Sequence, residues 1–153
     1  RLAAARHVSG RMTRRAAPGG AVIWDDTYNA NPTSLAAGAR AVAAGGGRAW
    51  AVVGDMLELG EQTAAMHAAA GADLRSAGIE RVYCLGELAR HVAEGFGSGA
   101  RWFDSADELV AALRGDLTAD VSVLVKGSRG MRMERIADAL ANEAPDAAAG
   151  GEG

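Results

Sequence analysis

The sequence has few residues of several kinds, and each scarcity excludes a class of protein. Its 153 residues include one cysteine, Cys84, which rules out an intramolecular disulfide framework and a multi-cysteine zinc site. Aromatic residues make up only 5% of the chain, so the core must be built from Ala, Val, Leu and Ile. No apolar run approaches the roughly 18 residues of a membrane-spanning helix, and no signal-peptide pattern opens the chain. We therefore expect a cytoplasmic protein with no membrane partner.

Basic residues are slightly outnumbered by acidic ones, and lysine is almost absent among them. The formal net charge is −3, which argues against a basic surface for nucleic acids. Of the 16 basic residues, Lys126 is the only lysine. A sequence so strongly biased towards arginine that still keeps one lysine raises the question of what arginine could not do there. Lys126 is therefore a candidate functional residue.

The length fits one ordinary domain. We assign residues 11–143 to this domain and expect 144–153, a low-complexity Ala- and Gly-rich stretch, to be a disordered tail. The chain begins at Arg1 rather than Met. We therefore interpret it as a fragment whose residues 1–10 are the end of a linker from a preceding domain.

Short apolar runs predict the strands. A first strand within 11–17 precedes the turn signal Pro18-Gly19-Gly20. The other predicted strands are Ala21–Trp24, Ala49–Val53, Arg81–Leu85, Arg101–Phe103 and Val121–Val125.

Helices are predicted between these runs. Asn31 as N-cap and Pro32 at the first helical position start a helix that ends near Ala44. Further helices are expected at about 62–77, from after Glu87 to near Gly95, after a capping box of Ser105 and Glu108, and at the end of the chain. Two apolar stripes mark the buried faces of the last two helices: Leu109, Val110 and Leu113, and then Met133, Ile136 and Leu140.

Strands that are apolar throughout and alternate with helices indicate an α/β fold. We predict a mostly parallel sheet of about six strands with helices on both faces, and a possible antiparallel edge strand at the start. In such a sheet, ligands bind beyond the carboxyl ends of the strands. Three polar clusters follow predicted strands: Asp25, Asp26, Tyr28, Asn29 and Asn31, then Asp55, Glu58 and Glu61, and last Lys126, Ser128 and Arg129.

These clusters either form one binding site or only line turns and cap helices. Asp25 and Asp26 are adjacent in an extended segment and point in opposite directions, so only one can face a ligand. Lys126 begins a glycine-flanked turn that opens a helix, an arrangement that suits a carboxylate or phosphate. The phosphate-binding patterns GxxxxGK[ST] and GxGxxG are absent, so the domain does not hold a nucleotide's polyphosphate alone. His67 and His91 are interpreted as packing or surface residues, and Cys84 as a buried small hydrophobe.

Three stretches together resemble the C-terminal domain of the Mur ligases. They are DDTYNANPTSLAAGARAV, VVGDMLELGEQTAAMH and VLVKGSRGMRMERI. The similarity covers about residues 8–142, and it is greatest to the member that adds D-alanyl-D-alanine to UDP-N-acetylmuramoyl-tripeptide. It implies a Rossmann-like three-layer fold that closes over a site shared with a central ATP-binding domain and an N-terminal domain for the UDP-sugar. The implied reaction is ATP-driven amide bond formation through an acyl phosphate.

The resemblance also implies roles for individual residues. Arg11, Asp26, Tyr28, Asn29 and Asn31 match the segments that contact ATP, with Arg11 at the phosphates and Asp26 at the ribose. The turn with Lys126, Ser128 and Arg129 lies where sister enzymes bind the incoming amino acid, and Asp55 is a further candidate there. ATP and Mg²⁺ are expected for the full-length enzyme, with none bound by this domain alone. Because the central domain's phosphate loop has no counterpart, the fragment is expected to be inactive.

Two other interpretations remain open at this point. A phospho-acceptor receiver domain also places paired acids after the first parallel strand and a lysine after the last. Here, however, Asp55 follows the second parallel strand rather than the third, and Gly rather than Pro follows Lys126. The second alternative is a protein-interaction domain that binds no small ligand.

Overall fold

Six strands form one sheet in the order β1-β2-β6-β3-β4-β5. The computed structural model describes residues 12–27, 30–57 and 59–141. The strands are β1 (Thr13–Ala16), β2 (Val22–Asp26), β3 (Arg48–Gly54), β4 (Arg81–Leu85), β5 (Ala100–Phe103) and β6 (Val121–Lys126). The edge strand β1 is antiparallel to β2, and every other pair is parallel. The predicted fold class and the antiparallel edge are confirmed.

In the part of the chain that the structure describes, five helices alternate with the strands as predicted. They are α1 (Pro32–Ala43), α2 (Thr63–Ala77), α3 (Ala89–Phe96), α4 (Ala106–Asp116) and α5 (134–141). Asn31 caps α1 as predicted, because its side chain accepts from the Ser34 N–H and the Ser34 hydroxyl accepts from the Asn31 N–H. Ser105 caps α4 by accepting from the Glu108 N–H. The predicted reciprocal bond from the Glu108 side chain is not formed in the described residues, so this capping box is only half present.

The helices cover both faces of the sheet and bury two separate apolar layers. One layer contains buried side chains from α1, α2 and α3, among them Leu35, Leu74 and Val92. The other contains side chains from α4 and α5, including Leu113 and Leu140. The apolar stripes of these last two helices therefore face the core as predicted. Among the described residues, no helix combines the length and apolarity required to cross a bilayer.

The helices α2 and α3 pack unusually closely, and two glycines make this possible. A Cβ at Gly71 would collide with the backbone carbonyl of Val92, and one at Gly95 would collide with that of Ala68. The approach fixes the start of α3 beside the carboxyl end of β3, which is the edge of the sheet where the polar clusters lie.

Candidate functional site

The ends of β2 and β6 bring the first and last predicted clusters together. Both strands extend beyond their apolar runs, so Asp26 and Lys126 are the final residues of adjacent parallel strands and lie directly opposite each other. The Lys126 Nζ lies 3.0 Å from the Asp26 Oδ2, and the two side chains are only 2% and 5% exposed. The predicted convergence of these clusters on one edge is thereby confirmed.

A buried pair of opposite charges demands more of the protein than an exposed one. Removing an ammonium and a carboxylate from water is costly, and each charge is tolerated only because the other compensates it. A lysine presents its charge as a compact point at the end of a flexible chain, whereas the planar guanidinium of arginine is larger. This explains how a lysine can be buried beside a carboxylate at the ends of two adjacent strands.

Asp25 and Asp26 point to opposite faces, as their adjacency predicts. The Asp25 carboxylate accepts from the Arg15 guanidinium at 3.0 Å and from the Thr27 hydroxyl at 2.9 Å. Arg15 also pairs with Asp138. Asp25 therefore ties the edge strand to its neighbour, while Asp26 points towards Lys126.

The loop after β3 carries the middle cluster, and its acidic side chain serves a neighbouring helix. The Asp55 Oδ1 accepts from the Ala89 N–H, the first residue of α3, at 2.7 Å. Gly86 lies against this carboxylate with a φ of 113°, and a Cβ there would collide with it. Burial raises the pKa of the Asp55 carboxyl above its ordinary value, while the hydrogen bond from the Ala89 N–H acts in the opposite direction.

The same loop is held from two further sides. The Met56 N–H donates to the Nε2 of His67 at 2.9 Å, and the Leu57 N–H donates to the Ser128 hydroxyl at 2.7 Å. The Ser128 N–H in turn donates to the Asp55 carbonyl at 3.2 Å. The loop thereby connects the turn that follows β6 to the beginnings of α2 and α3.

The remaining predicted site residues are placed as follows. Asn31 lies at the start of α1, where its side-chain oxygen is engaged in capping. Arg129 lies in a short 3₁₀ turn, Arg129–Met131, immediately after Ser128. Arg11, Tyr28, Asn29 and Glu58 lie outside the described residues.

Cys84 and His91 have the surroundings of structural residues, not of catalytic ones. Cys84 is buried in β4, and burial raises the pKa of its thiol to about 12, so it has no thiolate character at neutral pH. His91 pairs with Glu94 on the surface of α3. Within the described ranges, no three His, Cys, Asp or Glu side chains form a group that could hold a metal ion.

The pattern of strands and motifs at this edge matches a known family. Residues 10–129 match the family model described as Mur ligase, glutamate ligase domain. The chain belongs to the Mur ligase family. This membership favours the Mur ligase interpretation over a receiver domain, as does the Asp55 carboxylate, which accepts an N–H of α3.

Named relatives within the family are ligases that use D-alanyl-D-alanine. The chain is 33% identical over 141 residues to the UDP-N-acetylmuramoyl-tripeptide–D-alanyl-D-alanine ligase of Escherichia coli, which covers 91% of this chain and 31% of that protein. It is also 33% identical to the Bacillus subtilis enzyme of the same name, over 76% of the chain and 27% of that protein. The chain thus spans about a third of the length of these relatives, and corresponds to their C-terminal domain.

Solved structures agree with this relationship. The chain superposes on the MurF ligase from Thermotoga maritima in complex with ADP with a TM-score of 0.77 and 29% identity, covering 88% of this chain and 31% of that one. A MurF structure from Acinetobacter baumannii gives a TM-score of 0.75 with 30% identity, covering 85% and 30%. The Rossmann-like fold expected for a Mur ligase C-terminal domain is confirmed.

His67, interpreted from the sequence as a packing or surface residue, is a packing residue, because it is fully buried. The sequence did not predict its hydrogen bond to the loop after β3. Its position with Ala70, Gly71 and Leu74 on the buried face of α2 was readable from the helical period. A polar ring on an otherwise apolar stripe was the sequence signal that could have indicated a buried, hydrogen-bonded histidine.

Proposed function

We propose that this chain is the C-terminal domain of an ATP-dependent ligase that joins D-alanyl-D-alanine to UDP-N-acetylmuramoyl-tripeptide. The observation that carries the proposal is the buried pair of Asp26 and Lys126. It joins the two motif-bearing segments of a Mur ligase domain at one edge of the sheet, where α/β proteins bind their ligands. The relatives named for this reaction extend over nearly the whole chain.

In the proposed reaction, a carboxylate oxygen of the peptide attacks the γ-phosphorus of ATP, and ADP leaves. The free amine of the dipeptide then attacks the acyl carbon, and phosphate leaves as the amide forms. Closure of this domain over the others orients the reactants and excludes water from the acyl phosphate. Mg²⁺ accompanies ATP in the proposal, and since the described residues offer no cluster of metal ligands, we assign none of its ligands to this chain.

On the nucleotide side, we propose that Asp26 accepts a hydrogen bond from a ribose hydroxyl. Its Oδ2 is directed at Lys126, which leaves Oδ1 for the ribose. The ammonium holds the carboxylate in one orientation, and a carboxylate oxygen is a strong acceptor. Arg11 at the phosphates and Tyr28, Asn29 and Asn31 at the nucleotide's edge complete this side of the proposal.

On the acceptor side, we propose that the dipeptide's carboxylate binds beside the turn after β6. The Ser128 hydroxyl accepts from Leu57, so its own hydrogen is available to donate to a carboxylate. The Lys126 ammonium carries three N–H groups and can donate to more than one acceptor. Arg129 is the proposed second cation, and Asp55 is a candidate for the dipeptide's ammonium in addition to its bond to α3.

The proposed partners are the central and N-terminal domains of the same enzyme and the small-molecule substrates, without nucleic acid or membrane. We place the enzyme in the cytoplasm, where ATP and nucleotide-linked sugars are found.

The experiment uses the full-length ligase and two adjacent aspartates. Asp26→Ala is expected to raise the KM for ATP with little effect on binding of the UDP substrate. Asp25→Ala is the matched control, because Asp25 points to the opposite face and pairs with Arg15. Steady-state kinetics with D-alanyl-D-alanine as acceptor provide the readout. Equal ATP kinetics in the two variants would remove the role assigned to Asp26, and a wild type that forms no amide with D-alanyl-D-alanine would contradict the proposed function.

A further inference from the structure

His67 is fully buried, yet both nitrogens of its ring bind backbone groups. The Nδ1 lies 2.7 Å from the carbonyl oxygen of Thr63, one turn earlier in α2, and the Nε2 lies 2.9 Å from the Met56 nitrogen. A carbonyl can only accept, so the Nδ1 must carry a hydrogen. The Met56 N–H can only donate, so the Nε2 must be bare. This pair of contacts defines a neutral ring with its hydrogen on Nδ1.

This ring holds the loop after β3 at its middle residue. On one side of Met56, the Asp55 carboxylate binds the start of α3, and on the other side the Leu57 N–H binds the Ser128 hydroxyl. Ser128 completes the arrangement by donating its own N–H to the Asp55 carbonyl. The position of the Ser128 hydroxyl is therefore set by a backbone segment that His67 anchors.

Apolar packing alone does not explain this placement. An apolar side chain would pack at least as well beside Ala70 and Leu74, which are buried on the same face of α2. The loop residues between β3 and the 3₁₀ turn Gly60–Gln62 that can be described form no regular structure, so their N–H groups need partners from elsewhere. A buried N–H without a partner is costly, and the imidazole acceptor meets this need while fixing one loop conformation.

We infer that His67 is a positioning residue for the acceptor side of the ligase site. It holds the loop 55–57 so that Ser128 is presented to the carboxylate of D-alanyl-D-alanine. The inference rests on the proposed function, and it assigns to His67 an effect on acceptor binding with none on the nucleotide. The only charged group beside the ring in the described loop is Asp55, whose carboxylate is engaged by α3.

Two substitutions that introduce an amide, made in the full-length ligase, distinguish the roles of the two ring nitrogens. In His67→Gln, the longer side chain can place its oxygen where Nε2 accepts from Met56. In His67→Asn, the shorter side chain reaches only the position of Nδ1 and loses the bond to the loop. Both variants place a polar, uncharged amide group in the core, as the neutral imidazole ring of the wild type does. Leu74→Ala is the control for general loss of stability in α2, because Leu74 lies on the same buried face and its apolar side chain cannot hydrogen-bond to the loop.

The expected result is a difference in one kinetic constant. His67→Asn should raise the KM for D-alanyl-D-alanine about three- to tenfold, the loss expected for one hydrogen bond, and leave the KM for ATP unchanged. His67→Gln and Leu74→Ala should keep both KM values near those of the wild type. Hydrogen exchange of the peptide covering residues 55–59 should be faster in His67→Asn than in His67→Gln.

Two outcomes would overturn the inference, and they differ from failure of the proposed function. Equal KM values for the dipeptide in the Asn and Gln variants would show that the anchored loop does not position the acceptor, even if exchange of the loop differs. Equal exchange in the two variants would show that His67 does not hold the loop. A wild type without turnover dependent on D-alanyl-D-alanine would instead contradict the proposed function itself.

Discussion

Charged side chains are treated in opposite ways at the two ends of the sheet. At the carboxyl end, Lys126 and Asp26 are almost completely buried and bind each other. At the amino end, Arg48 and Arg81 lie over the ring of Trp50 with their guanidinium carbons 5.4 and 4.7 Å from its centre, and remain partly exposed. Exposed arginines on aromatic faces cover apolar surface without losing their hydration.

This contrast shows that stability alone accounts for the contacts at the amino end of the sheet but not for the buried ion pair at the carboxyl end. The amino end is built from contacts that each contribute a little, such as the ion pair of Arg48 with Glu80, and exposed pairs of this kind are weak. The carboxyl end holds an ion pair that apolar residues of similar volume could replace with equal or better stability. A costly arrangement at the edge where we propose that the ligands bind supports a functional role.

The largest expected effect comes from leaving one buried charge without its partner. Lys126→Met should lower the free energy of unfolding by about 3–5 kcal/mol, because the Asp26 carboxylate then stays buried and uncompensated. The double variant Asp26→Asn with Lys126→Met should recover most of this loss. Urea denaturation of the three proteins measures the difference. A loss below about 1 kcal/mol in the single variant would mean that the pair is effectively solvated, as at the opposite end.

A smaller effect is expected from a partly buried hydrogen bond near the amino end. The Tyr83 hydroxyl donates to the Asp116 carboxylate at 2.6 Å, and burial together with this bond raises the pKa of the tyrosine to about 12. Tyr83→Phe keeps the packing against Phe103 and removes the hydrogen bond, so it should destabilise the fold by about 1 kcal/mol. Thermal and urea unfolding should agree on this value, and a loss as large as that of Lys126→Met would erase the contrast between the ends.

Removing an exposed arginine should matter less again. Arg81 lies over Trp50 and 3.5 Å from Asp116, with its side chain 40% exposed. Arg81→Ala should reduce the free energy of unfolding by less than about 1 kcal/mol. The reduction should shrink as salt is added, since part of it is screened, and a loss independent of ionic strength would argue that packing alone is responsible.

The smallest predicted effect is a pair of opposite pH dependences. Hydrogen bonds from Trp50 and Arg48 lower the pKa of Glu80 below its ordinary 4.5, so its contribution to stability is present above that pH and is lost as the pH falls. Burial raises the pKa of Asp55 above its ordinary 3.8, so stability linked to it is present at low pH and is lost as the pH rises. Unfolding curves across acidic pH for Glu80→Gln and Asp55→Asn should therefore deviate from the wild type with opposite slopes. Deviations with slopes of the same sign would contradict the opposite pKa shifts of Glu80 and Asp55.

The order of strands and helices was predictable because each element carries a local signal. Asn31 and Pro32 marked the start of α1 through capping chemistry, and the apolar runs marked the interior of each strand. The predicted ends of β2 and β6 were less accurate, because the apolar residues end before the hydrogen-bonded pairing of the two strands does. Asp26 and Lys126 continue the strands as charged residues, and a hydrophobic pattern cannot identify strand positions occupied by a buried ion pair.

The site was predictable in its location but not in its contacts. Parallel topology brings strand ends to one edge, which is why the clusters could be grouped without coordinates. The bond from Ala89 to Asp55 joins residues 34 positions apart, and that from Leu57 to Ser128 joins residues 71 positions apart. Such partners depend on how α2 and α3 pack on the sheet, and local sequence patterns cannot predict contacts between residues so far apart in the chain. The direct ligand contacts assigned to Asp26, Lys126 and Ser128 stay predictions.

A crystal structure of the full-length ligase with a non-hydrolysable ATP analogue tests the central claim most directly. The claim is that the Asp26 and Lys126 pair forms part of the nucleotide's binding surface. The predicted result is a ribose hydroxyl within about 2.6–3.2 Å of the Asp26 carboxylate, with the Lys126 ammonium still bound to its other oxygen. A nucleotide whose ribose lies away from Asp26 while the domains are closed would contradict it.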